Sequence, residues 1–109
     1  MAKQNADWKK YSIFFRQWMI RDFKKNAGMP MDEWLVKLHE LELAVDERGN
    51  VQPLMEARTK LQQLNAFYDH LVEAQSGYQK DPVKREEGER AIRGWQVPVR
   101  RLLGLIQSA

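Results

Sequence analysis

Residues 53–78 read PLMEARTKLQQLNAFYDHLVEAQSGY, and the spacing within this stretch identifies the architecture. Large side chains recur at alternating intervals of three and four, a seam that only the polar Gln75 interrupts. Such spacing lines one face of a helix and favours shallow, left-handed crossings between helices. The members of the seam are Leu54, Ala57, Leu61, Leu64, Tyr68, Leu71, Gln75 and Tyr78. The stretch therefore predicts a long helix in a helical bundle.

Three breaks, each a glycine followed by a proline, divide the chain into four predicted helices. Glycine is favoured just past a helix end, where the backbone enters the left-handed region, and proline suits a first helical turn. The breaks are Gly28 with Pro30, Gly49 with Pro53, and Gly77 with Pro82. The predicted helices span about residues 7–27, 31–48, 53–77 and 82–107. Asp7 and Asp81 are placed to cap the first and the last of them.

The predicted fold is all-α, because the sequence has neither sustained alternation nor an Asn-Gly or Asp-Gly hairpin pair. Short breaks between long helices make consecutive helices antiparallel. We therefore expect one domain, residues 1–109, folded as a four-helix up-down-up-down bundle. The alternative is a helical hairpin that completes its core by dimerising, because a long seam of threes and fours also suits a coiled coil.

Pro98 interrupts the fourth predicted helix. It cannot donate a hydrogen bond to the carbonyl of Gly94, and its ring crowds that turn. Because Gly94 has no side chain, we expect the helix to bend between Trp95 and Val99. The alternative is a helix that stops and restarts at Pro98.

Composition excludes several classes of protein. The 109 residues include no cysteine, which rules out a disulfide scaffold, a thiolate metal cage and a thiol nucleophile. No apolar run is long enough to span a bilayer, and no apolar stretch precedes Asp7, so we expect a cytoplasmic protein without a membrane segment. There is no phosphate-binding glycine loop, G-x-S-x-G or H-E-x-x-H motif. We expect no catalytic site, cofactor or metal, and we interpret His39 and His70 as surface residues.

Charge is divided unevenly along the chain. Residues 1–25 hold seven Lys/Arg against two Asp/Glu, residues 26–80 five against nine, and residues 81–109 six against four. On the acidic second helix, Lys37 is placed to pair with Glu33 one turn away. The outer helices are basic, and a bundle of this kind would place them side by side, merging their cations into one face.

This basic face predicts binding to the phosphate backbone of DNA or RNA. Its expected members are Lys9, Lys10, Arg16, Arg21, Lys24 and Lys25 on the first helix and Arg90, Arg93, Arg100 and Arg101 on the last. No motif for reading bases is present. The first functional hypothesis is thus a non-enzymatic accessory subunit of a larger nucleoprotein complex.

An apolar strip on the first helix supports a second hypothesis. Ile13, Phe14 and Ile20 fall inside or beside the basic arc, which is the side of the first helix that carries its lysines and arginines. They lie opposite the side that holds Phe15 and Trp18. One explanation is a helix wedged deeply among the others, with the strip in the core. The other is an exposed strip that docks on a partner protein, which would make the chain an adaptor, inhibitor or assembly subunit.

Overall fold

In a computed structural model, the structure describes Tyr11 and residues 13–108, and helices are the only regular secondary structure in this described part. The described helices are α1 (Ile13–Ala27), α2 (Met31–Asp46), α3 (Gln52–Glu56), α4 (Arg58–Tyr78) and α5 (Pro82–Ser108). The all-α prediction is confirmed. Residues 7–10, which the first predicted helix included, lie outside the described residues. They contain the expected cap Asp7 and the expected nucleic-acid contacts Lys9 and Lys10.

The predicted breaks between helices are partly confirmed. Gly28 and Gly49 have positive φ angles of 74° and 62° and follow the ends of α1 and α2. The Asp81 carboxylate accepts hydrogen bonds from the backbone N–H groups two and three residues on, at 2.9 and 3.3 Å, and so caps α5. The prediction is wrong at Gly77, which lies inside α4. No left-handed residue is needed there, because the helix ends through Gln79 in an extended conformation.

The third predicted helix is divided in two at Ala57. This residue has φ −89° and ψ 2°, and its N–H is shared between the carbonyls of Pro53 and Leu54, each at 3.1 Å. Shared hydrogen bonds of this kind are common at helix termini. A single residue, Ala57, therefore separates the short α3 from α4.

Both α1 and α5 pack along α4 and run antiparallel to it. The ring of Phe15 lies 5.9 Å from that of Tyr78, whereas Phe23, two turns later, lies 6.0 Å from Phe67. As residue numbers rise along α1, the numbers of the contacting residues fall along α4, so the two helices are antiparallel. The same progression relates α5 to α4: Glu89 accepts a hydrogen bond from Ser76, and Arg100 lies 3.4 Å from Asn65.

The expected side-by-side packing of the first and last helices is wrong for the described residues. Both α2 and α4 contact α1 and α5, whereas described parts of α1 and α5 make few contacts with each other. Tyr11, just before α1, is a point of contact: its hydroxyl donates to the Gly88 carbonyl at 3.0 Å. The reason is that α4 offers α1 an aromatic surface, including Phe67 and Tyr68. In an up-down-up-down bundle the first and third helices run parallel, whereas α1 and α4 are antiparallel, so that specific arrangement is not confirmed.

The core follows the predicted seams. All members of the α3–α4 seam are buried except Tyr78, which is half exposed. On α2, Trp34, Leu38, Leu41 and Ala44 are buried, and Val45 is partly buried. The described helices of one copy enclose these side chains, and dimerisation stays a prediction.

The last helix continues through Pro98. Its buried residues recur at intervals of three and four on both sides of the proline: Ile92, Gln96, Val99, Leu102 and Ile106. The alternative of a helix that stops and restarts there is therefore wrong. Pro98 removes one backbone hydrogen bond from the interior of this helix.

Candidate functional site

The arginines in the middle of α5 point at one carboxylate on α4. Arg93 Nη1 lies 2.6 Å from Asp69 Oδ1, and Arg100 Nη2 lies 3.2 Å from the same oxygen. Both guanidinium groups are about half exposed. One carboxylate of α4 therefore holds two of the cations that were expected to contact nucleic acid.

The buried amide of Gln96 completes this cluster. Its Nε2 donates to Asp69 Oδ1 and to the backbone and side-chain oxygens of Asn65, all at 3.0 Å, and its Oε1 accepts from Arg93 at 2.8 Å. The hydrogen bonds from Gln96 and Arg93 lower the pKa of the Asp69 carboxyl below its usual 3.8. The cluster therefore stabilises the charged carboxylate and ties α5 to α4.

The other two expected arginines of α5 are paired as well. Arg101 donates to Asp46 near the end of α2 and lies 3.7 Å from Glu42, and its hydrogen bond to Asp46 raises the pKa of the guanidinium. Arg90 pairs with Glu86 one turn earlier, at 3.1 Å. Each expected α5 contact to nucleic acid thus faces a carboxylate.

The cations of α1 are less consistently paired. Arg21 Nε lies 3.2 Å from Asp22, and Arg16 is half-buried. Lys24 and Lys25 are exposed and make no ion pair with the described residues. The single basic face that the sequence suggested stays a prediction, and the few contacts between the described parts of α1 and α5 do not support it.

The apolar strip of α1 is exposed. The exposed fractions are 64% for Ile13, 76% for Phe14 and 56% for Ile20. Their neighbours Phe15 and Met19 are completely buried. The explanation that placed the strip in the core is therefore wrong, because α4 packs against the opposite side of α1.

The strip has the geometry of a helical recognition face. Ile13 and Ile20 are seven residues apart, about 10 Å along the helix axis, so they project from the same side. Phe14 lies beside Ile13, and the exposed Gln17 lies between the two ends. The basic residues Arg21 and Lys24 follow at the C-terminal end of the strip.

The structure also contains a cleft between α2 and α3 that the sequence did not predict. Its larger part is lined by Lys37, Glu40, Leu41, Ala44, Arg48 and Pro53. The cleft could have been predicted from the spacing of Lys37, Leu41, Ala44 and Arg48, which are four, three and four residues apart. This spacing places two cations at the ends of one apolar face. The facing wall comes from α3, which the sequence did not separate from the next helix.

The structure offers no metal centre in its described residues: no group of three His, Asp or Glu side chains there could hold an ion. His39 and His70 are exposed, and the His70 ring lies edge-on to Trp18 at 5.4 Å. In the described part of the chain, no helix combines the length and apolar character needed to cross a membrane. No protein-family model, curated protein or solved structure matches this chain.

Proposed function

We propose that this chain is a non-enzymatic protein-interaction module, a helical bundle that docks on a partner protein through the apolar strip of α1. The observation that carries the proposal is the exposure of Ile13, Phe14 and Ile20 on one helix. Large apolar side chains grouped on a surface mark interaction sites, because leaving them in water forgoes the free energy of burial.

The chemistry of α1 indicates the kind of partner. An amphipathic helix that binds in a groove presents anchors at intervals of three, four and seven, and Ile13 and Ile20 have the interval of seven. The described part of α1 also carries four cations, Arg16, Arg21, Lys24 and Lys25, against the single acid Asp22. We therefore propose a partner with an apolar groove and an acidic rim, which would complement both features.

Binding to a nucleic-acid backbone is less well supported by the geometry. The α5 arginines would have to leave their carboxylate partners before contacting phosphates, and Asp69 would then keep only its hydrogen bond from Gln96. Lys24 and Lys25 are unpaired in the described residues, but two lysines supply few phosphate contacts. The nucleoprotein hypothesis is therefore kept as an outcome of the experiment below.

The test is site-specific crosslinking in cells that natively produce the protein. A photo-crosslinking amino acid replaces Gln17, within the strip, and a matched control replaces Val97, an exposed apolar residue of α5. We expect position 17, and not position 97, to crosslink one protein, with the adduct unaffected by prior nuclease treatment.

Substitutions then establish that the strip itself binds. Phe14→Asp and Ile20→Asp should abolish the crosslink while circular dichroism stays unchanged, because both side chains are exposed, and Val97→Asp should leave it intact. Equal crosslinking from both positions, adducts that need intact nucleic acid, or loss of helical signal in both strip variants would overturn the proposal.

A further inference from the structure

The cleft between α2 and α3 has the size of a small-molecule site and is a partly open surface cleft with a mixed polar and apolar lining. Its larger part encloses about 420 Å³ and continues into a smaller part of about 220 Å³, which Glu56, Ala57 and Lys60 line. Lys37 and Pro53 line both parts. The combined volume falls in the range of ligand clefts, which is roughly 300–1,000 Å³.

Among the described residues, the cations of this cleft have no ion-pair partner, in contrast to the arginines of α5. Lys37, Arg48 and Lys60 make no ion pair with any described residue. The pair between Glu33 and Lys37 that the sequence predicts is also not formed in the described structure. A cation without a protein partner is free to bind an anion without first breaking an internal salt bridge.

The rest of the lining restricts which anion fits. Leu41, Ala44 and Pro53 provide an apolar wall in the larger part. Glu40 and Glu56 each occupy one part of the cleft, so the whole lining carries three positive charges against two negative ones. That balance favours a single anionic group with an apolar body over a polyanion, which both carboxylates would repel.

We propose that the α2–α3 cleft binds a small organic anion, an aryl or alkyl phosphate or carboxylate. Its apolar body lies against Leu41, Ala44 and Pro53. Its anionic group binds Lys37, which is shared by both parts of the cleft, together with Arg48 or Lys60. This site is separate from the α1 strip, so it does not depend on the proposed docking function.

The experiment titrates the whole chain with 1-naphthyl phosphate and follows backbone amide shifts by NMR. We expect saturable binding, with the largest shifts at residues 37–48 and 53–60. Two matched probes test the two parts of the ligand separately: 1-naphthol lacks the anionic group, and inorganic phosphate lacks the apolar body. Each should bind at least about tenfold more weakly, because both halves of the cleft contribute.

Two variants test the residues. Lys37→Gln should weaken binding of 1-naphthyl phosphate by about fivefold or more, because a charge-assisted contact is lost. Lys24→Gln, at an exposed lysine of α1, should bind as the unchanged protein does. Ala44→Met, which fills the apolar wall, should also weaken binding, with circular dichroism confirming its fold.

The proposal would be overturned by absence of saturable binding, by shifts centred on α1, or by undiminished affinity of Lys37→Gln. Equal binding of inorganic phosphate or of 1-naphthol would contradict the assignment of an apolar anion.

Discussion

Both α1 and α5 present basic side chains to the outside, yet the two helices use them differently. On α5, Arg93 and Arg100 share one carboxylate of α4, and Arg101 reaches the end of α2. On α1, Lys24 and Lys25 have no ion-pair partner in the described residues, and exposed isoleucine and phenylalanine side chains stand beside the basic arc.

The difference shows why counting charges does not locate a binding surface. A cation that is already bound to a carboxylate joins helices, and an external anion must compete with that carboxylate. Lys24 and Lys25 of α1 have no such competitor among the described residues. For this reason the α1 face is the better candidate for recognition, and the α5 face mainly links α5 to α4 and α2.

The largest expected effect separates the two sides of α1 through adjacent phenylalanines. Phe15→Ala should destabilise the fold by about 3–5 kcal/mol, because a fully buried ring leaves a cavity. Phe14→Ala should change stability by no more than about 0.5 kcal/mol, because its ring is mostly in solvent. Chemical denaturation measures both. Similar losses for the two variants would mean that the strip belongs to the core.

An intermediate effect is expected where α5 approaches α4 most closely. A Cβ at position 88 would collide with the buried Gln75 and with the ring of Tyr11, so Gly88→Ala should cost about 1–3 kcal/mol. Gly94→Ala faces open space on the same helix and should stabilise it by about 0.5–1 kcal/mol. Opposite signs in thermal melts are the expected result, and a stabilising Gly88→Ala would contradict the close packing.

The smallest effect concerns the arginine cluster on Asp69. Its carboxyl is about half exposed, so Asp69→Asn should cost no more than about 1 kcal/mol at neutral pH. Because folding lowers the pKa of Asp69, its contribution is complete above the usual value of 3.8 and is lost as the pH falls through the lower folded pKa. The stability difference between wild type and variant, measured by urea unfolding, should therefore shrink below pH 3.8. A constant difference would show that the carboxylate charge is irrelevant.

Most of the helical pattern could be predicted because it depends on neighbours in the chain. The threes and fours of residues 54–75 and the positive φ of Gly28 and Gly49 are local properties. Local reasoning was wrong at Gly77, because a glycine is permitted inside a helix when packing holds that helix together. It also missed the division at Ala57, which good helix formers surround on both sides.

The candidate sites were harder to predict. Periodicity put Ile13, Phe14 and Ile20 opposite the core side of α1, but it left open whether another helix covers them. Predicting the α2–α3 cleft would have required knowing that α3 is a separate helix and that Lys37 makes no ion pair with the described residues. Neither follows from residue spacing.

The amino-acid sequence by itself determined that the chain is helical and which side of each helix faces the core, because helical periodicity relates residues three and four positions apart. Only the tertiary structure decided which helices touch and which cations are neutralised. Among the ion pairs between helices, Arg93 and Asp69 are 24 positions apart, and Arg101 and Asp46 are 55 positions apart. Their proximity results from the packing of whole helices, which no local pattern encodes.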